Sequence, residues 1–436
     1  GDKVIYTKYA GTEVKLDGEI ATSILDFRTI VYFAPQLKGN ELKATISGIM
    51  SGYVNDFVVK NIAIDSHDGG FKGTVNGRMT GVPDVENMRI DASVSKMQIT
   101  AEGLGRFVSE WTRGKDLDFS KIGKGVTFTA DATARGLLNN LDTQASLVSD
   151  AGDVLATVRL DEIISEDKPI ALSGHIMTKD LDIGRMLGND IVGPVSISTG
   201  LSASLKEQIE VDLDSLRIDR LNFKGYNYSD IQARGRYDGL SMNGTVISKD
   251  PNLNFIFQGG YAKSEKSRNT VYKFNASVGY ADLHAINIDR RGESIVQLRT
   301  NANFTRTGKG NLLGRIDIGD IMLENKGGRY EVGDVIFTSN SADNKYTARL
   351  NSKFAKGTYS GSASLGDFIN DLKGVTIDRE IPALTADSGY TWSGNTYELD
   401  FICHDIQNIL SFAVPGLYIE NGTSLSATID SKGDFK

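Results

Sequence analysis

An all-β fold, built as a long antiparallel meander, is what the sequence predicts, and three observations predict it. The first is the stretch Ile231–Tyr261. Ile231, Ala233, Gly235 and Tyr237 alternate with Gln232, Arg234, Arg236 and Asp238, the period of a strand with one apolar and one wet face. Asp238-Gly239 follows as a two-residue hairpin signal. A tight turn there pairs Tyr237 with Leu240, Gly235 with Met242, Ala233 with Gly244 and Ile231 with Val246. Lys249-Asp250-Pro251-Asn252 is the next turn, with Pro251 suited to a type I geometry. It pairs Ser248 with Leu253, Val246 with Phe255 and Gly244 with Phe257, so the apolar face survives two reversals.

The second observation is composition. The 436 residues include 47 Gly and only 7 Pro. That glycine share, about 11% against an average near 7%, points to many turns and small strand positions. The third is persistence: alternating segments recur along the whole length, about 25 strands of ordinary size.

In chain order, Val14 and Leu16 alternate, and the dense apolar run Ile24–Phe33 ends at Ala34-Pro35; a short strand and an irregular or helical turn are expected. Leu42, Ala44, Ile46, Gly48 and Met50 form one strand face. Phe71, Gly73, Val75, Gly77 and Met79 form another after the turn His67-Asp68-Gly69-Gly70, and Ile90, Ala92 and Val94 continue the series. Thr100 is a candidate cap for a helix through Leu104, Phe107, Val108 and Trp111, weakened by Gly103 and Gly105. Arg113–Gly125 reads as a loop. Val126, Phe128, Ala130, Ala132 and Ala134 alternate with polar residues, and Leu141–Leu147, Val154–Leu160 and Ile170–Ile176 repeat the pattern. Asp182 caps a short helix ended by Gly188. Val195, Ile197, Leu201, Ala203 and Leu205 stay in phase, and Leu213–Tyr228 leads into the ladder.

Beyond it come Tyr272–Val278, Val296–Phe304, Tyr346–Phe354, then Tyr359, Ala363 and Leu365 as one strand, and Tyr397–Cys403. Asp405 is read as the cap of a helix over Ile406–Phe412 stopped by Pro415-Gly416, and Leu425, Ala427 and Ile429 make the last strand. The chain reads as one continuous segment, 1–436, with helical interruptions near 101–125, 182–190 and 405–416. A loose echo, an apolar residue two before Ile-Asp, recurs at Asp65, Asp91, Asp219, Asp289 and Asp378, and less cleanly at Asp430, and is read as strand exit.

Chemistry is sparse. The formal charge of −8 disfavours nucleic acid, which needs a basic footprint. No run approaches the ~20 apolar residues that span a bilayer. Cys403 is the single cysteine, so no intrachain disulfide forms, and it reads as a half-buried strand residue. His67, His175, His284 and His404 lack zinc-ligand spacing, and no nucleophile elbow, P-loop or dinucleotide fingerprint is present. Asp116/Asp118 and Asp212/Asp214 are carboxylates two apart, better explained as wet strand faces than as a glycosidase pair, which straddles a cleft. The reading is of no enzyme, no cofactor and no metal. The opening Gly-Asp-Lys suggests a piece of a longer protein.

Several blocks carry a resemblance. Phe33-Ala34-Pro35, Ile46-Ser47-Gly48, Val54–Asn61, Gly77–Pro83, Gly225–Ile231, Asp250–Leu253, Ala281–Ala285 and Phe412–Tyr418 resemble, in this order, blocks of TamB-like proteins of the AsmA-like envelope superfamily. They cover the chain from about residue 30 onward. The resemblance implies a β-taco, an elongated, twisted antiparallel sheet folded into an open trough with an apolar inside and a few short helices. It further implies a bridge-like phospholipid carrier of the Gram-negative periplasm. An inner-membrane anchor would precede this region, and a terminal domain meeting an outer-membrane barrel of the assembly-factor type would follow it. It brings no catalytic motif.

A sealed β-sandwich or β-helix hides an apolar face equally well. The Gly and Ala positions on the apolar face, which leave room for a second chain or let strands bend, favour the trough. Candidate lipid-lining residues are Ile231, Ala233, Tyr237, Leu240, Met242, Gly244, Val246, Leu253, Phe255 and Phe257, with Val195, Ile197, Leu201, Phe128 and Ala130. The resemblance also implies a second function, a scaffold for outer-membrane protein assembly that exposes strand edges; an extended adhesin-like β-structure, a reading from another class, would favour exposed aromatics on wet faces, which the sequence does not show.

Overall fold

A computed structural model describes residues 14–26, 28, 42–82, 84–111, 123, 125–165, 167–205, 209–308, 311–373, 393–414, 416–430 and 434–435. The fold is all-β and antiparallel, with open sheets not closed into a barrel. The chain divides into two units, Gly1–Gly239 and Leu240–Lys436, and each is taken by itself.

The first unit is a meander of β1 (Lys15–Asp26), β2 (Lys43–Tyr53), β3 (Asp56–Ser66), β4 (Phe71–Thr80), β5 (Arg89–Thr100), β6 (Thr127–Leu137), β7 (Asn140–Ser149), β8 (Gly152–Asp161), β9 (Ile170–Asp182), β10 (Val192–Leu205) and β11 (Ile209–Phe223). It ends with β12 (Tyr226–Tyr228) and β13 (Ile231–Tyr237), two halves of one interrupted strand that both pair with β11. The second unit continues with β14 (Ser241–Asp250), β15 (Leu253–Lys263), β16 (Thr270–Asp282), β17 (Ser294–Arg306), β18 (Leu312–Asn325), β19 (Gly328–Ala342), β20 (Lys345–Ser352), β21 (Ala355–Gly361), β22 (Thr396–Cys403), β23 (Ser424–Asp430) and β24 (Asp434–Phe435). Within the second unit each strand pairs with the next. Alternation of burial along β13, and along β15 from Leu253 to Gly259, follows the sequence phase, because period two in hydrophobicity is period two in facing.

Among the described residues four short helices interrupt the strands: α1 (Ala101–Trp111), α2 (Ile183–Leu187), α3 (Leu365–Lys373) and α4 (Gln407–Ala413). Two match their sequence signals. The Thr100 hydroxyl accepts from the Gly103 amide at 3.0 Å. Asp182 accepts from the Arg185 amide, and Gly188 closes α2 at φ 63°. Gly103, a poor helix former, is required by packing: a Cβ there would lie 2.4 Å from the Gly70 backbone. The β3–β4 turn thus sits flush on α1, and Arg106 bonds Asp68 across the contact at 2.8 Å.

Several expectations are corrected. Leu365 opens α3 rather than continuing a strand from Tyr359. Ser364 and Asp367 form a capping box in which the Ser364 hydroxyl accepts from the Asp367 amide, and the Ser364 amide donates to the Asp367 carboxylate. Asp405 does not cap α4; Ile406 holds the cap position without a side-chain bond. The first strand runs through Asp26, longer than expected, and β3, β18 and β19 were not singled out. Of the Ile-Asp echoes, Asp65 and Asp430 lie at strand ends, whereas Asp91 and Asp219 are on strands and Asp289 is in a loop. The sequence readings of 29–41, 112–122 and Pro415, the echo at Asp378, and the carboxylates Asp116 and Asp118 lie outside the described residues.

The β14–β15 register is shifted by two from the expected one. Asp250 pairs with Leu253, Ser248 with Phe255, Val246 with Phe257 and Gly244 with Gly259. The reversal uses only Pro251-Asn252. The Asp250 carboxylate accepts from the Asn252 amide at 2.9 Å, and the Ser248 hydroxyl donates to the Leu253 carbonyl at 2.6 Å. An even shift leaves every side chain on its expected face. The pairing expected across Asp238-Gly239 spans the boundary between the two units.

Candidate functional site: two apolar faces and their margins

Register places the apolar residues of each unit in rows that run across the strands. In the first unit one row reads Ile62, Val75, Val94, Ala132, Ala145, Ala156, Ile176, Thr199, Leu216, Ala233. A parallel row on the β8–β13 side contains Val158, Gly174, Leu201, Leu213 and Gly235. These residues are for the most part half-buried. The reverse face carries cross-strand ion pairs, among them Arg78–Asp56 at 2.6 Å, Arg135–Asp91 at 3.0 Å and Arg220–Asp180 at 3.0 Å. The Arg78 guanidinium holds the Asp56 carboxyl below its ordinary range.

Helices close one margin of the first unit. Ala101, Val126, Phe128, Ala151, Leu181 and Val195 form a buried cluster, with Ile183 and Met186 of α2 and Ile197 packed against it. Phe128 is 1% exposed and Val195 4%. These two candidates therefore stand in a packed core beneath the helices, as does Ala130 by its burial. Ile197, Leu201 and Ala233 lie farther along the face and are half-buried.

In the second unit the row Val246, Phe257, Ala276, Thr300, Ile318, Val335 crosses six strands. Leu240, Gly244, Val246, Leu253, Phe255 and Phe257 are half-buried; Met242 is exposed. Of the remaining candidates, Tyr237 is half-buried and Ile231 is buried in the first unit. The register adds an aromatic shelf not singled out from the sequence. Phe257 meets Phe274 at 5.4 Å between ring centroids, Tyr261 meets Tyr272 at 6.1 Å, and Tyr272 stacks on Phe304 at 5.0 Å. The alternation of Tyr272, Phe274 and Phe304 was visible; their adjacency required pairing strands more than 20 residues apart.

Of the two roles expected for the glycines on this face, Gly259 and Gly314 take the bending one. Gly259 has φ 137°, and a Cβ there would lie 2.3 Å from the Lys273 carbonyl and 2.7 Å from the Phe274 Cβ. Gly314 meets Phe304 in the same way. Phe274 and Phe304 are their direct cross-strand partners. The space is filled by the backbone of the neighbouring strand and its phenylalanine Cβ, so these glycines serve bending and close strand approach.

The margins of the second unit differ. On one side Asp250, Ala281, Ile286 and Ser294 are each at most 4% exposed. There Arg291 donates to the Ala413 carbonyl at the end of α4, which packs on β18 and β19. Arg291 also holds the Asp289 carboxyl well below the usual carboxylate range. On the other side α3 covers part of the margin. Phe368 packs 5.3 Å from Tyr397 and 5.7 Å from Tyr359 in a cluster with Ala348, Ala363 and Ile429. Tyr397 donates to buried Asp371, which also accepts from Ser393 and Asn395. Burial, then the Asp371 carboxylate, pushes the Tyr397 phenol upward, and burial does the same to Tyr359. Among the described residues no helix covers the stretch of this margin on β15–β17, and there the Tyr261–Tyr272–Phe304 row is half-buried.

A concavity of about 620 Å³ lies in the second unit among Gln258, Asn275, Arg299, Asn301, Asp317 and Asp334, which share the wet face. Its polar groups bind one another: Asn301 donates to Asn275 at 2.5 Å, and Arg299 pairs with Asp320. Among the described residues no group of three or more acidic, cysteine or histidine side chains forms a metal cage, and no helix is long and apolar enough to cross a membrane. His67 bonds Thr45 at 3.0 Å and His284 bonds the Asp289 carbonyl at 3.0 Å. Cys403 is buried on β22. No protein-family model matches the chain, and no curated protein or solved structure matches it.

Proposed function

We propose that this chain is a non-enzymatic conduit for acyl-chain lipids, a segment of a TamB-like carrier that moves phospholipids between the two membranes of a Gram-negative envelope. The observation that carries the reading is the apolar face of each unit, which away from the helix-covered margins stays half-buried row after row. A folded sheet gains nothing from leaving Phe257, Val246 and Leu201 partly wet. An acyl chain laid along them would complete their burial at about 0.8 kcal/mol per methylene. Such contact is non-directional, so no single position traps the chain and sliding is permitted. Headgroups would remain at the margins. The full-length protein would be held by an inner-membrane anchor and meet an outer-membrane barrel through parts outside this chain.

Lipid extraction from the purified chain followed by mass spectrometry tests the reading. Co-purifying phospholipid in near-stoichiometric amount is the expected result. A lipid-free chain that also fails to take up phospholipid from vesicles contradicts it.

A further inference from the structure

Beyond Tyr261, Tyr272 and Phe304 the same face continues by one more row, at the margin of the second unit that no helix of the described residues covers. Lys263 pairs with Thr270, and Thr270 pairs with Arg306. By strand parity these three side chains project from the apolar face and not from the wet one. Lys263 and Arg306 are exposed, and neither makes an ion pair with a described residue. The β15–β16 turn adds Lys266 and Arg268, both exposed, against the single carboxylate Glu265. This is a cationic margin on a chain of net charge −8.

The opposite margin is sealed by Ala281, Ile286 and the turn at Asp250. An amphiphile lying on the aromatic shelf therefore has one direction in which to place a polar group. That direction leads to two flexible cations two strands apart, about 10 Å between backbones, with a threonine hydroxyl between them.

We propose that Lys263, Thr270 and Arg306 seat the anionic, phosphate-bearing headgroup of a lipid whose acyl chains lie on Tyr261, Tyr272 and Phe304. The site rests on the conduit reading and adds to it a selectivity for net negative headgroups. Apolar burial holds the chains without regard to headgroup; the two cations distinguish a net anionic diacyl lipid from a zwitterionic one of equal chain length.

The test uses the full chain, given vesicles that contain a photoactivatable diacyl lipid with either a phosphoglycerol or a phosphocholine headgroup. The native chain is expected to label the phosphoglycerol probe about fivefold more. The K263E/R306E variant should bring that ratio to about one while still labelling with the phosphocholine probe. The milder K263Q/R306Q pair covers loss of folding in the first. K273E, on the wet face, should keep the native ratio. An unchanged ratio in both double variants overturns the site, as does an equal loss in K273E, which would mark a general charge effect. Loss of the preference in excess inorganic phosphate would assign the row to a free anion instead. No labelling by either probe overturns the conduit reading, and the headgroup site with it.

Discussion

Tyr272 on β16 and Phe304 on β17 stack face to face, 5.0 Å between centroids and 19° between planes. Phe304 in turn covers Gly314 on β18. The pair therefore does two things at once. It roofs a glycine that lets the next strand approach, and it presents a half-wet aromatic surface at the open margin.

Gly259→Ala, at the equivalent position against Phe274 on the neighbouring strand, tests the same kind of close approach. The residue sits at φ 137°, and its Cβ would meet the Lys273 carbonyl at 2.3 Å. A cost of about 1–3 kcal/mol is expected. Gly18→Ala on β1, where a Cβ meets nothing within 4 Å, should be near neutral. Chemical denaturation of the two variants checks this, and equal midpoints would show that the sheet yields freely at Gly259.

Removing the Asp371 carboxylate should release α3. Asp371→Ala takes the acceptor from Tyr397, which is 1% exposed, at about 1–3 kcal/mol. Phe368→Ala should cost about 3 kcal/mol by opening the aromatic cluster. Hydrogen exchange is the readout. Amides of α3 should speed up tenfold or more while β16 and β17 keep their protection; uniform acceleration across the second unit would contradict a locally held helix.

The segment after β8 should respond to acid. Donation from Lys168, Ser165 and Asn139 holds the Glu162 carboxyl down to about 2, against an ordinary value of 4.5. A carboxyl lowered in the folded state contributes fully above its unfolded value, and that contribution is lost as pH falls through the folded one. NMR titration of the Glu162 carboxyl should give a midpoint near 2, with the Ile163–Ser165 amides moving in step. A midpoint near 4.5 would show that the three donors are not held in place.

Much of this architecture was legible because facing depends only on parity. Ile231, Ala233, Gly235 and Tyr237 are on one face as alternation required. Even the two-residue register error at Asp250 changed which residues pair and not which face they share. Caps at Thr100 and Asp182 were readable for the same local reason. The α3 segment was misread because Tyr359, Ala363 and Leu365 keep period two through Gly361; the Ser364-x-x-Asp367 box was the competing signal. What local reading could not reach is which rows are covered. Phe128 and Ile197 look alike in sequence, yet one lies under helices and the other is half-buried. The juxtaposition of Lys263 and Arg306 is likewise a product of two successive hairpins.

Phe257 and Gln258 are sequence neighbours on opposite faces of β15, and they give the central claim its most direct measurement. A photoreactive benzoylphenylalanine is placed at one position or the other in the full chain, irradiated with phospholipid vesicles, and adducts are read by intact mass. The conduit reading predicts a lipid adduct at Phe257 and little or none at Gln258. Equal labelling at both positions, or none at Phe257 in a folded chain, would contradict it.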